Sequence, residues 1–453
     1  MVSGCVAASG MSNEQRTRNK KRETVFISSA KSAPPIPNTH PNSYRDLIPS
    51  LFNTLNLRGR NFVFTFDEYS HNMRIGIVCY PTFGGSGVLA TELGKALAQK
   101  GHHVHFITYQ QPVRLSGFIP NIYYHEVQVP TYPLFDYPPY ETALASTMVD
   151  VIRNNKLQLL HVHYAIPHAS AAYMAKSILE KEGISIPVIT TLHGTDITLV
   201  GRDKTYAPVV AFSINQSDAI TAVSENLRNE TYKIFKIEKP IEVIHNFVDV
   251  QRFQRKPIDA FRKVIAPNGE RILLHASNFR KIKRVQDVVK IFNNVSKQIP
   301  SKLLFVGDGP ERQMAEELSR DLGIGDDISF VGKQEQMEDI LAIADLFLLT
   351  SEYESFGLAA LEAMASGVPV VSTNAGGLGE IMIPGETGYM GNVGDVDTMS
   401  QQAISILEND ERLQEFKASA ARHANRFDIH NIIPIYEKLY DDVLSKELVG
   451  QQV

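Results

Sequence analysis

From Met73 onward, short apolar runs alternate with stretches in which apolar residues recur every three or four positions. The runs 74–80, 104–108, 158–163, 187–192 and 218–223 predict strands, with helices such as 87–100, 140–154 and 168–182 between them. A polar, proline-containing stretch near 251–270 interrupts the pattern, and a second series follows. Its predicted strands are 271–276, 302–307, 328–331, 345–350 and 368–372, with helices such as 284–298, 310–322 and 356–366. Apolar strands alternating with amphipathic helices predict parallel sheets covered on both faces. The expected fold is α/β, in two units of similar size, 73–250 and 251–426. Residues 429–443 then place Ile429, Ile432, Ile433, Tyr436, Leu439, Tyr440 and Val443 at helical spacing. That terminal amphipathic helix, taken as 427–447, needs an apolar face to dock on.

The first 72 residues break the pattern. They hold nine Lys/Arg against five Asp/Glu, and 1–50 are rich in Ser, Asn and Pro, with a basic cluster from Arg16 to Arg22. Such a stretch buries too little apolar surface to offset its ordering entropy. No apolar core precedes a cleavage site, so a signal peptide is not expected. Residues 1–72 are read as a disordered tail or as a misread start upstream of Met73.

Composition narrows the class. Among 453 residues, 43% are apolar and 21% charged, an ordinary globular balance. No run of 18 apolar residues predicts a membrane-spanning helix. A net charge of −5 without a basic stripe argues against nucleic acid, and no amphipathic basic helix argues for a membrane surface. Two cysteines, Cys5 and Cys79, make neither a disulfide scaffold nor a cysteine metal site. A cytoplasmic location is expected, and a homo-oligomer is left open.

The first predicted strand ends in Pro81-Thr82-Phe83-Gly84-Gly85-Ser86-Gly87 before a helix. Glycines allow close backbone approach, and a helix start offers free N–H groups to an anion. Gly85-Ser86-Gly87-Val88-Leu89-Ala90 formally fits a dinucleotide fingerprint. The second strand, however, ends at Tyr109 rather than at a ribose-binding acid. An anion site is therefore expected, and an NAD-dependent oxidoreductase is disfavoured.

The second series carries the stronger signal. Ser277-Asn278-Phe279-Arg280-Lys281-Ile282-Lys283-Arg284 sets four cations at a strand's carboxyl end, suited to a diphosphate. Val306-Gly307-Asp308-Gly309-Pro310 is a second tight strand-to-helix turn. The third segment, Glu354-Ser355-Phe356-Gly357-Leu358-Ala359-Ala360-Leu361-Glu362, puts a carboxylate on each side of a helix start. The N–H groups of Phe356, Gly357 and Leu358 would favour an anion there, with hydroxylated groups on either side. Asp395-Val396-Asp397 is read as a solvated turn rather than a metal pair, and His161 and His163 as packing or site-lining residues.

Glu354 and Glu362, eight residues apart, with Ala365-Ser366-Gly367-Val368-Pro369-Val370-Val371 and Gly376-Gly377 after them, resemble the donor-site signature of retaining GT-B glycosyltransferases. The resemblance covers 73–445. It implies two facing Rossmann-like domains, each a parallel sheet with helices on both faces, and a C-terminal helix crossing back to the first. Cys79-Tyr80-Pro81, His161-Val162-His163-Tyr164-Ala165-Ile166-Pro167-His168, Leu192-His193-Gly194-Thr195-Asp196-Ile197 and the basic turn narrow it to the L-malate branch. That branch implies UDP-N-acetylglucosamine as donor, L-malate as acceptor and the first step of bacillithiol biosynthesis. Ser277-Asn278 replaces the wider family's Gly-Arg pair, a variant that the branch shares, and Arg280 is expected to bind phosphate in its place.

The implied roles follow. Lys283 and Arg280 stabilise the leaving diphosphate, Glu354 holds sugar hydroxyls, and Glu362 the ribose diol. His193 contacts the donor sugar or positions the acceptor. Gly85, Asn278, Phe356, Gly357 and Leu358 complete the donor site; Ser86, Gly87, Tyr164 and Thr195 are expected at the acceptor. Arg114, Arg202 and Lys204 are candidate cations for malate, unplaced by sequence. No metal, other cofactor or protein nucleophile is implied. Remaining alternatives are a transferase with another acceptor, a non-catalytic nucleotide-sugar-binding protein and, least favoured, the oxidoreductase.

Overall fold

The computed structural model describes residues 72–450, apart from 131–132, 134–135 and 255–257, with backbone alone for 447–450. The readings made for 1–71 lie outside the described residues. Two parallel sheets organise the rest. The first joins β1 (Arg74–Val78), β2 (His103–Thr108), β3 (Ile122–Glu126), β4 (Leu159–His163), β5 (Val188–Leu192), β6 (Ala219–Ala222) and β7 (Ile241–Val243) in the order β3-β2-β1-β4-β5-β6-β7. The second joins β8 (Arg271–Ser277), β9 (Ser301–Gly307), β10 (Ile328–Gly332), β11 (Leu346–Leu349), β12 (Val370–Thr373) and β13 (Gly388–Gly391) in the order β10-β9-β8-β11-β12-β13.

The predicted strands are all present within a few residues of their expected bounds, while β3, β7 and β13 were not anticipated. Strands β4, β5, β11 and β12 are buried along their whole length; β11 is apolar throughout, and the others bury His, Thr or Ser among aliphatic residues. Each strand order reverses direction at one point, between β1 and β4 and between β8 and β11. Loops leaving the carboxyl ends of strands part at such a point and open a crevice for ligands. Here that crevice is bordered by the turns after β1, β4 and β5 in the first sheet, and after β8 and β11 in the second.

The helix Ile429–Gly450 returns to the first sheet. Ile432, Ile433, Tyr436, Leu439, Tyr440 and Val443 are buried in one cluster with Ile75 and Ile77 of β1 and with Leu89, Leu93 and Leu97 of the helix Gly85–Gln99. Its polar edge is pinned as well, since Glu437 pairs with Lys100 and, at 3.1 Å, with His102. The two halves also meet directly. Ser224 Oγ donates to the Ser355 carbonyl at 2.6 Å, and the Glu380 carboxylate accepts from the N–H groups of Glu225 and Asn226 at 2.9 and 2.8 Å.

Candidate active site

The turn after β8 is built around Phe279. Its φ is +34° and its ring is fully buried against Phe305 and His275, which leaves Asn278 and Arg280 exposed on either side. Gly307 and Gly309 lie under the backbone of Ser277 and Asn278, where a Cβ would fall within 2.1 Å of a carbonyl oxygen. The second glycine turn thus serves to seat the basic turn.

The four cations divide. Lys283 Nζ lies 2.5 Å from Glu354 Oε1, and Arg284 bonds Asp287 at 2.6 Å and Glu352 at 3.2 Å. Arg280 and Lys281 have no ion pair within 4 Å among the described residues, so both are free for an anion. Glu354 Oε1 also accepts from Ser351 Oγ at 2.7 Å, a partner that sequence reading missed. The helix of the third segment begins at Leu358, with Gly357 as its cap. The first N–H groups of any helix lack intrahelical acceptors, so those of the Phe356–Leu358 turn stay available although the Phe356 ring itself is core. Gly85, from the first half, faces this turn: a Cβ on it would lie 3.5 Å from Leu358 Cδ2.

Glu362 is placed differently from Glu354. It is buried, and its Oε1 is 3.3 Å from both Arg114 Nη1 and Nη2. Burial pushes its carboxyl up from the usual range against the pull of Arg114. Arg114, a candidate for the acceptor carboxylates, is therefore committed to Glu362. Arg202 is exposed and paired at 3.5 Å with Glu230, and Lys204 is exposed. Gly87 is also reassigned: its N–H bonds the Gly84 carbonyl at 3.1 Å and is not offered to a ligand. Asp395, read as solvated, instead caps the helix Val396–Leu407 by accepting from the Thr398 N–H at 3.1 Å.

On the other side of the crevice, Tyr164 follows β4 with φ +88°, a conformation costing about 1–3 kcal/mol in a non-glycine residue. Its N–H bonds the Thr191 carbonyl at 2.9 Å and its hydroxyl meets Ser86 Oγ at 2.9 Å, which hold it there. Burial pushes the phenol up to about 12, while hydrogen bonds with Ser86 and Thr195 and the charge of Arg280 act in the opposite sense. Ser86, Tyr164, Thr195 and Arg280 thus converge from both halves of the chain.

His193 follows β5. Its Nε2 lies 2.8 Å from Nδ1 of His163, and burial with the neighbouring His161 and His168 pushes it down to about 3, so it is neutral at physiological pH. His161 and His163, which share a face, have different partners. His161 is held by Tyr440 Oη at 2.8 Å and Thr191 Oγ1 at 2.7 Å, whereas His163 touches the site through His193. The turn beyond is organised by Asp196, which accepts from the Ala165 and Gly194 N–H groups at 3.1 and 3.0 Å. Sequence reading assigned Asp196 no role. His193 was expected at the site and His163 as a packing or site-lining residue; their contact joins the end of β4 to the residue just after β5.

A model described as Glycosyltransferase Family 4 matches residues 83–252, and one described as Glycosyl transferases group 1 matches 258–423. The N-acetyl-alpha-D-glucosaminyl L-malate synthase of Bacillus anthracis is 47% identical over 382 residues, spanning 84% of this chain and 99% of that protein. A glycosyltransferase of Methanocaldococcus jannaschii is 24% identical over 83% of this chain and 97% of its own length. Among solved structures, sucrose-phosphate synthase from Thermosynechococcus elongatus aligns with a TM-score of 0.68 at 20% identity, over 83% of this chain and all of that one. Anabaena HepE, solved in complex with UDP and glucose, aligns at 0.67 and 19% identity, over 82% and 99%. Those structures share the two-sheet GT-B fold.

Proposed function

The chain belongs to the two-domain glycosyltransferases that include the Bacillus anthracis L-malate synthase, and from that membership we propose that it moves N-acetylglucosamine from UDP-N-acetylglucosamine to the hydroxyl of L-malate with retention of the α configuration. The observation that carries this reading is the meeting of two unlike sets of groups in one crevice. Lys283, Arg280 and the Phe356–Leu358 amides suit a diphosphate; Ser86, Tyr164 and Thr195, with Arg280 nearby, suit a hydroxy acid.

In the proposed reaction the bond from the anomeric carbon to the β-phosphate oxygen breaks. A bond from that carbon to the malate hydroxyl oxygen forms on the same face. The hydroxyl proton passes to the departing phosphate oxygen, and UDP leaves. Charge grows on the diphosphate as the bond breaks, so preorganised cations and amides there lower the barrier most. Glu354 holds sugar hydroxyls and Glu362 the ribose, the latter in competition with Arg114. The product, N-acetyl-alpha-D-glucosaminyl L-malate, enters bacillithiol biosynthesis on this reading.

A second reading, transfer to another small hydroxylated acceptor, is favoured by one observation. With Arg114 held by Glu362, Arg280 is the cation left near the Tyr164 hydroxyl, and malate carries two carboxylates. Product isolation separates the two readings. Incubation with both substrates is expected to give the malate glycoside with the small anomeric proton coupling of an α linkage. A β product, or none while another hydroxy acid is glycosylated, would refute the first reading.

A further inference from the structure

His163 makes no direct contribution to the site described above, yet its surroundings dictate what His193 can present to a substrate. Burial pushes His193 down to about 3 and His163 well below its ordinary value, so each neutral ring carries a single N–H. The contact between them joins His163 Nδ1 to His193 Nε2 at 2.8 Å, and one of these nitrogens must donate. If His193 donated from Nε2, the proton of His163 would sit on its own Nε2. That atom is sealed from solvent and has no hydrogen-bond partner among the described residues. A buried N–H without an acceptor is among the rarest features of folded proteins, whereas an unpaired lone pair is tolerated better.

The neighbouring ring follows the same rule. Nδ1 of His168 contacts the His163 carbonyl, which can only accept, so His168 carries its proton on Nδ1 and leaves its buried Nε2 bare. His163 is also braced in place. Its ring stacks at 4.5 Å on His161, whose two nitrogens are both held, by Tyr440 and Thr191. The stack continues to His193 at 5.1 Å.

We propose that His163 is a positioning residue that donates from Nδ1 to Nε2 of His193, so that His193 presents a neutral Nδ1–H donor to the crevice. Nδ1 of His193 has no partner among the described residues and is not sealed from solvent. A fixed N–H donor there addresses an oxygen of the sugar, the diphosphate or the acceptor. The opposite tautomer would present a lone pair, which repels a phosphate or carboxylate oxygen and can only accept from a hydroxyl. This rests on the proposed function only in that His193 lines the donor–acceptor crevice.

The test is a long-range proton–nitrogen NMR spectrum of the full chain with 15N-labelled histidine, the His193 signals being identified by their loss in His193→Asn. The expected result is a protonated Nδ1 and a bare Nε2 on His193. A proton on Nε2, or on both nitrogens at neutral pH, would overturn the proposal. This readout involves no substrate, so it stands or falls separately from the malate assignment, and it needs no folded His163 variant. Kinetics supply the second arm. For metal-bound histidines, loss of the outer partner that fixes the ring's tautomer costs about 10- to 100-fold, and a loss of that order is expected here. His163→Phe is expected to lower kcat by that much with KM for the donor little changed, and His163→Asn, which keeps a donor near Nδ1, to recover most of it. An unchanged kcat in His163→Phe, or His163→Asn no better than the phenylalanine variant, would refute the role.

Discussion

The ammonium of Lys283 sits 2.5 Å from Oε1 of Glu354, and the two residues come from the loops on either side of the β8–β11 crevice. Both side chains are partly open, 19% and 14% exposed, so the pair is reachable by a ligand. On the proposed function, an arriving diphosphate would compete with the carboxylate for the ammonium and free Glu354 for sugar hydroxyls. Lys283→Ala and Glu354→Ala are each expected to lower kcat by roughly 10²–10³, the usual loss for one preorganised charge partner in a transition state. Because the two act as a unit, the double variant should lose far less than the product of the two effects. Steady-state kinetics with circular dichroism check this; less than a tenfold loss in either folded variant contradicts it.

Gly194 shows how tightly the halves are fitted. Its φ is +112°, and a Cβ would lie 1.8 Å from Ser355 Oγ across the interface. Gly194→Ala must both strain the backbone and push Ser355 from the donor loop. Displacing reacting groups by about 1 Å costs about 100-fold in rate. Activity should fall by about that factor and the melting temperature should drop. Wild-type turnover in Gly194→Ala would contradict the interface geometry.

The histidines make stability depend on acid. Burial pushes His161 and His193 down to about 3, His105, His168 and His275 down to about 4, and His163 well below its ordinary value. Each is neutral when folded but takes a proton when unfolded below about 6.5. The unfolded state therefore binds more protons, and stability is lost as pH falls from 6.5 toward 4. Asp196, pushed up to about 6 by burial, acts in the opposite sense between 6 and its ordinary value of 3.8. Glu362, also pushed up by burial, acts with Asp196. Six groups outweigh two, so the melting temperature should fall steeply from pH 7 to 5. A flat melting temperature over that range would refute the burial of these rings.

Tyr440 links the terminal helix to the first sheet through its 2.8 Å contact with His161 Nδ1. Tyr440→Phe leaves that buried nitrogen unpaired, at a cost of about 1–3 kcal/mol. The expected outcome is a lower denaturation midpoint with near-normal kcat. A large loss of kcat at unchanged stability would mean the contact tunes the site rather than the fold.

What sequence reading captured and missed follows from how information lies along the chain. The central strands were legible because β4, β5, β11 and β12, buried on both faces, are rich in aliphatic and β-branched residues. Three others carry no such run: β3 is half-exposed at a sheet edge, β7 is three residues long, and β13 holds two glycines. The candidate donor-side groups could be named from sequence because Asn278–Arg284 and Glu354–Glu362 are contiguous segments. The pairing of Arg114 with Glu362, 248 residues apart, needed the folded chain, as did the division of His161 and His163 between scaffold and site. Gly87 misled because its composition suited a ligand loop while its N–H closes a turn on Gly84.

The central claim is that one crevice joins a nucleotide-sugar donor to a small hydroxy acid. Its most direct test is UDP release by the purified protein given UDP-N-acetylglucosamine, with and without L-malate, in EDTA. The account predicts rapid release only when malate is present. Equal release with and without malate, or no donor binding at all, would contradict it.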